Sequence, residues 1–278
     1  MPLDLNGAVG PYRVNAGPSG PIKTRYGMTR TSLQTGGHPP SRLTLRDLGV
    51  TLDGRDVLVG LSLDLSFQRL GVVGRNGSGK STLARVIAGL VPATQGAATL
   101  DGADMARDRR AALSGVGILF QNPDHQIIFP TVAEEIAFGL AQLGRSKHEA
   151  EIEARQTLAR FSKEPWADVP VSTLSHGQKH LVCLMAIVAM NPRCLILDEP
   201  FAGLDIPTKA QLMRYLAMFA GTIIHISHDP ADLAGSDQLL WLEKGRVERV
   251  GAYDGVNTAY LDEMRQQGER DDISDLPG

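Results

Sequence analysis

Gly74-Arg75-Asn76-Gly77-Ser78-Gly79-Lys80-Ser81 decides how the rest of the chain is read. It has the form G-x-x-x-x-G-K-S, a phosphate-binding loop. Leu70-Gly71-Val72-Val73 before it is a short apolar run suited to a buried strand. After it, Leu83, Val86, Ile87 and Leu90 recur at helical spacing, starting just past Thr82. Strand, loop and helix are the context such a loop requires. Gly74, Gly77 and Gly79 let backbone N–H groups turn inward as an anion nest. The helix that follows aims its positive dipole end at the same point. Lys80 can reach the outer phosphates of a nucleotide, and the Ser81 hydroxyl can ligate Mg²⁺.

The totals bound the alternatives. A chain of 278 residues suits one large domain or two small ones, and 42% hydrophobic with 21% charged residues is ordinary for a globular protein. A net charge of −3 gives no electrostatic case for nucleic-acid binding. The two cysteines, Cys183 and Cys194, both lie in apolar stretches and read as core thiols. The longest apolar run, Leu181 to Met190, is too short to span a bilayer, so work at a membrane requires another chain to hold this one there.

Residues 1–40 contain seven glycines and six prolines with few large apolar residues, and read as a disordered leader, with Met28 an alternative start. Alternation at Leu43 and Leu45, then at Leu61, Leu63 and Leu65, predicts two strands joined at Asp53-Gly54. Thr99 to Gly102 reads as a strand ending in a turn, and Val116 to Phe120 as a buried strand ending at Gln121. Over about 122–192 the pattern turns helical. Thr131 to Glu134 and Ser146 to Glu149 are capping boxes opening two helices, and a third follows Ser175. Strands resume at Cys194 to Leu197, Thr222 to Ile226 and Gln238 to Leu242, with a helix over about Thr208 to Phe219. Glu263 to Gly278 reads as a polar, frayed tail.

The apolar strand from Cys194 ends in two acids. Asp198 is placed to hold Mg²⁺, and Glu199 to polarise an attacking water, which suits phosphoryl transfer. At this point the residues resemble a family. Leu174-Ser175-His176-Gly177-Gln178 resembles the LSGGQ signature of ATP-binding-cassette ATPases. Gln121 matches their Q-loop glutamine, Phe201-Ala202-Gly203-Leu204-Asp205 their D-loop, and His228 their switch histidine. The resemblance covers roughly residues 41–262 and implies an α/β fold. That fold is a P-loop nucleotide-binding domain with a RecA-like parallel sheet, an antiparallel β subdomain and a helical subdomain. It implies ATP and Mg²⁺ as cofactors, with Ser81, Gln121 and Asp198 at the metal and Glu199, His228 and Gln121 at the reacting phosphate. It also implies that Ser175, His176, Gly177, Gln178 and Asp205 face ATP held by a second cassette, a homodimer being the simplest pair.

Leu52, where the family usually has an aromatic, and Val57 are the candidates for contact with the base. His176 stands where the signature usually has glycine. His38, His125, His148 and His180 read as surface residues, and His225 as the rival of His228 for the switch role. Gln121-Asn122-Pro123-Asp124-His125-Gln126 is similar to the Q-loop region of energy-coupling-factor importers, and the signature and D-loop look most like the ATPase of their biotin-type system. That likeness implies an integral membrane coupling protein and a substrate-binding membrane protein as partners, peripheral attachment at the cytoplasmic face, and no nucleic acid. A cobalt or nickel importer is the alternative within the class. A chromosome or DNA-repair ATPase would carry coiled coils, zinc modules or a basic surface, and a ribosome-binding translation factor would usually carry two cassettes.

Overall fold

The computed structural model describes residues 38–270. The leader expected over 1–40 falls almost wholly outside them, as does the end of the expected tail.

Strands β1 (Ser41–Leu52) and β2 (Arg55–Phe67) form a hairpin through Asp53-Gly54, as the alternation predicts. β3 (Arg69–Val73) leads into the phosphate loop and α1 (Lys80–Ile87). β4 (Gln95–Leu100) returns to pair with β1, so a three-stranded antiparallel sheet has the order β2-β1-β4. Then come α2 (Arg109–Gly115) and β5 (Val116–Leu119). Helices α3 (Val132–Gln142), α4 (Lys147–Arg160) and α5 (His176–Ala189) follow. All three open on a capping box, at Thr131, Ser146 and Ser175, so each start is fixed by its own sequence. The chain continues through β6 (Cys194–Asp198), α6 (Ile206–Ala217), β7 (Thr222–Ile226), β8 (Gln238–Glu243), β9 (Arg246–Ala252) and α7 (Tyr253–Arg270).

The six-stranded sheet has the order β5-β6-β7-β3-β8-β9, with every pair parallel except β8-β9. Its central strands are apolar on both faces because both are covered; β6 is buried along its whole length. One apolar cluster joins the antiparallel sheet, the buried side of α1 (Leu83, Ala84, Val86, Ile87) and one sheet face through Val72, Ile196, Ile224 and Leu240. Another joins α3 to α6 with Leu195, Leu197 and Ile223 on the other face. Each fully buried Leu or Ile contributes about 1.5–3 kcal/mol.

Two readings need correction. His180 is not a surface residue but wholly buried, because the loop after β5 folds over it. The tail expected from Glu263 is helical as far as Arg270. Val256, Tyr260 and Met264 put a stripe of α7 against Leu239 and Trp241, with the Trp241 and Tyr260 rings edge to face.

Candidate functional site

Strand order brings the motifs together. β5, β6, β7 and β3 are consecutive in the sheet and parallel, so their C-terminal ends lie side by side. Gln121 leaves β5, Asp198 ends β6, His228 follows β7 and Gly74 follows β3. Ligands of open α/β sheets bind at this edge. A cleft of about 310 Å³ lies there, lined by Val57, Asn76 to Thr82, Gln121, Glu199 and His228.

The phosphate loop is tightly seated. Gly77 and Gly79 hold φ of 77° and 98°, and a Cβ on Gly74 would stand 2.0 Å from the Leu242 carbonyl oxygen. Lys80 Nζ donates to the Gly74 and Arg75 carbonyls at 2.8 and 3.0 Å, which curls its head back toward the loop it serves. Burial lowers the Lys80 pKa, although Glu199 and Asp198 favour its charge. Ser81 Oγ donates to Asp198 Oδ1 at 2.8 Å. Burial raises the Asp198 pKa against that hydrogen bond and against Arg85. A cation beside Asp198 would relieve this.

Glu199 has φ of 52°, uncommon for a residue with a side chain, and its N–H is tied to the Ile226 carbonyl at 3.1 Å. Such a backbone costs about 1–3 kcal/mol and persists only where the surroundings over-determine it. Here the carboxylate lines the cleft just past the buried end of β6. His228 Nδ1 meets Glu199 Oε2 at 2.5 Å. His225 stays within β7, edge-on to Phe201, and burial pushes its pKa down to about 3. It does not line the cleft, whereas His228 does.

Two groups of expected site residues lie elsewhere. Leu52 sits exposed at the end of the β1-β2 hairpin and does not line the cleft; Val57 does. The signature residues form the exposed start of α5. Ser175 Oγ accepts from Gln178 N at 3.3 Å, and Gln178 Oε1 accepts from Ser175 N at 2.8 Å. His176 lies edge-on to His180, with ring centroids 4.8 Å apart. Gly177 is pressed against α6; a Cβ there would stand 2.4 Å from Thr208 Cγ2. Asp205 caps α6, accepting from Thr208 N at 2.8 Å. Sequence reasoning missed His180, whose Nε2 contacts the Gln121 carbonyl oxygen at 3.1 Å. No motif marks it, and its helical position alone gave no signal.

The donor set suits Mg²⁺. Ser81, Asp198 and Gln121 offer a hydroxyl, a carboxylate and an amide, all oxygen ligands for a hard cation that keeps waters and phosphate oxygens. Ser78 Oγ, buried in the loop, has no protein partner among the described residues and is available to an anion.

A nucleotide-binding cassette is what this fold and cleft define, and comparison with known proteins agrees. Residues 58–202 match the ABC transporter family. The biotin transport ATP-binding protein BioM of Rhodobacter capsulatus is 47% identical over 222 residues, covering 79% of this chain and 95% of that protein. The energy-coupling factor transporter ATP-binding protein EcfA of Methanosphaera stadtmanae is 35% identical over 209 residues, covering 72% and 74%. Among solved structures, cbiO1 of Clostridium perfringens, part of the ABC transporter complex cbiONQ, superposes with a TM-score of 0.66 at 29% identity. That match covers 82% of this chain and 94% of cbiO1. The chain belongs to the ABC transporter family, as an ATPase of the energy-coupling-factor type whose hydrolysis is coupled to transport.

Proposed function

We propose that this ATPase works as one of two cassettes at the cytoplasmic face of a membrane, and that biotin is the favoured cargo of the importer it powers. The observation that carries the cargo is the 47% identity to a biotin transport ATP-binding protein across 95% of that protein's length. Among the described residues no helix is long and apolar enough to cross a membrane, so the pathway for cargo belongs to partner proteins. An integral coupling protein and a substrate-binding membrane protein fill that role in this reading. The exposed side chains of Ile128 and Phe138, with the Phe129 ring tilted against Phe138 at 4.9 Å between centroids, offer the coupling protein an apolar seat beside the Q-loop.

The residues divide the work. The N–H groups of Gly74 to Thr82 and the Lys80 ammonium bind the phosphates of ATP. Mg²⁺, held by Ser81, Asp198 and Gln121, would neutralise phosphate charge and align the transferring group. Glu199 orients a water or takes its proton, and His228 holds the Glu199 carboxylate through its Nδ1–H. Ser175, with the N–H groups of His176 and Gly177 at the start of α5, forms an anion site that the same chain's cleft does not use. We assign it, with Asp205, to ATP held by a second copy, which makes the working unit a dimer.

The test is purification of the chain from detergent-extracted membranes, followed by identification of co-purifying proteins and of the bound small molecule. Small integral membrane proteins carrying biotin support the reading. Bound nickel or cobalt would transfer it to a metal importer, and ribosomes or nucleic acid would overturn it.

A further inference from the structure

The segment after β5 is fastened to α5 at successive points. Buried His180 places Nε2 3.1 Å from the Gln121 carbonyl oxygen. Beside it on the helix, Lys179 Nζ pairs with Asp124 Oδ1 at 2.6 Å. One turn further on, Cys183 Sγ faces the Pro123 carbonyl at 4.0 Å. The far end of the segment is returned to β5 by Gln126, whose Oε1 accepts from Phe120 N and whose Nε2 donates to the Ile118 carbonyl, both at 3.2 Å.

The chemistry of the His180 contact is determined. A carbonyl only accepts, so Nε2 carries the proton. Nδ1 then holds a lone pair and has no protein partner among the described residues. Burial, with His176 alongside, depresses the pKa of the ring. The bond is part-buried, and losing it would leave the Gln121 carbonyl to find another donor.

We infer that His180 is a positioning residue: its N–H fixes the Gln121 backbone from which the Gln121 side chain enters the ATP cleft, and so makes that placement move with α5. Five residues before His180, Ser175 begins the same helix. One helix thereby carries both the anion site offered to a second copy and the anchor of a residue serving its own cleft. The inference rests on the role proposed above for Gln121.

Steady-state phosphate release and binding of a fluorescent ATP analogue, measured on the full chain with MgATP, test it. His180→Leu keeps the volume and removes the donor. Turnover should fall roughly 10- to 100-fold, the scale of an ångström of misplacement, while analogue affinity, set by the phosphate loop, stays within about twofold. His180→Gln can bring an amide N–H to the Nε2 position and should recover most of the rate. His180→Asn reaches only the Nδ1 position and should not. The double variant His180→Leu/Gln121→Ala should be no slower than Gln121→Ala alone, because both losses run through one side chain.

A His180→Leu rate within about twofold of the parent overturns the inference, and so do losses that multiply in the double variant. If His180→Leu fails to fold, His180→Gln and His180→Asn with matched melting temperatures decide, and equal rates overturn it. Gln121→Ala at full rate would overturn the role given to Gln121, and that of His180 with it. Slow Gln121→Ala beside a normal His180→Leu would remove His180 alone.

Discussion

At the phosphate loop the polar groups are tied across the chain, whereas at the start of α5 they are tied to their immediate neighbours. Ser81 and Asp198 are 117 residues apart in sequence and 2.8 Å apart in space. Lys80 is buried, and Glu199 reaches His228 from a strained backbone. Ser175, by contrast, bonds to Gln178 a turn away, and its surface faces outward. One anion site is therefore assembled by the tertiary fold and enclosed within it. The other is a helix end made ready by local capping and left open. In the proposal above a surface of a second copy completes the site of the second kind, so substitutions at the two should fail differently.

The largest difference is expected at Glu199. Glu199→Gln keeps the shape and removes the base, so turnover should fall by about 10²–10⁴ while ATP binding persists and closed dimers accumulate. Lys80→Ala should instead lose tight binding and never close. Light scattering with MgATP, beside phosphate release, separates the two. Normal hydrolysis by Glu199→Gln would break the assignment of the base to the enclosed site.

Gly177 probes the open site. Gly177→Ala drives a methyl against Thr208, and overpacking of this kind costs about 1–3 kcal/mol. Because the strain falls between α5 and α6, thermal melting should register it while ATP binding at the phosphate loop is spared. Binding lost in parallel with stability would show that the two sites are not independently built.

Leu52 sharpens the comparison from outside the cleft, exposed at the end of the β1-β2 hairpin. A leucine gives the base no ring to stack on, so ATP and GTP should compete nearly equally. Leu52→Tyr, whose longer ring extends from the hairpin end, should add at most about 0.5–1.5 kcal/mol of ATP binding. A hundredfold preference for ATP in the parent chain would break this.

The smallest effect is electrostatic and concerns the enclosed site alone. Burial raises the Asp198 pKa above its unfolded value. The unfolded chain thus releases this proton at lower pH, and stability falls as pH rises between the two values. Above both, the ionised, buried carboxylate is a standing cost. Asp198→Asn removes it and should melt slightly higher without Mg²⁺ at neutral pH, while losing the stabilisation that added Mg²⁺ gives the parent. A lower melting temperature without metal would contradict the burial argument.

The enclosed site was legible in the sequence because its parts are each local signals: a glycine pattern that fixes backbone shape, an apolar strand ending in acids, a histidine just past another strand. The strand order then brings them to one edge without further instruction. What could not be read depended on distant contacts. His180 looks like any polar helix residue until the loop at Gln121 closes over it. β9 offers a weak alternation, since only Val247 and Gly251 are even partly covered, and its register shifts opposite Trp241 and Leu242. α2 buries none of its residues, so it leaves no apolar stripe. α7 has such a stripe, but Gly255 and Gly268 dilute its helical character and its partner Trp241 lies on another element.

The two cysteines have a practical consequence. Cys183 and Cys194 are free and buried, and burial pushes the thiol of Cys194 up to about 12 and that of Cys183 upward as well. Neither forms the thiolate that alkylating reagents attack at neutral pH. The chain is thus its own silent background for chemical labelling. A single cysteine introduced at exposed Met218 would carry a fluorophore or spin label selectively, and a pair of labelled copies would report the distance between cassettes through the ATP cycle.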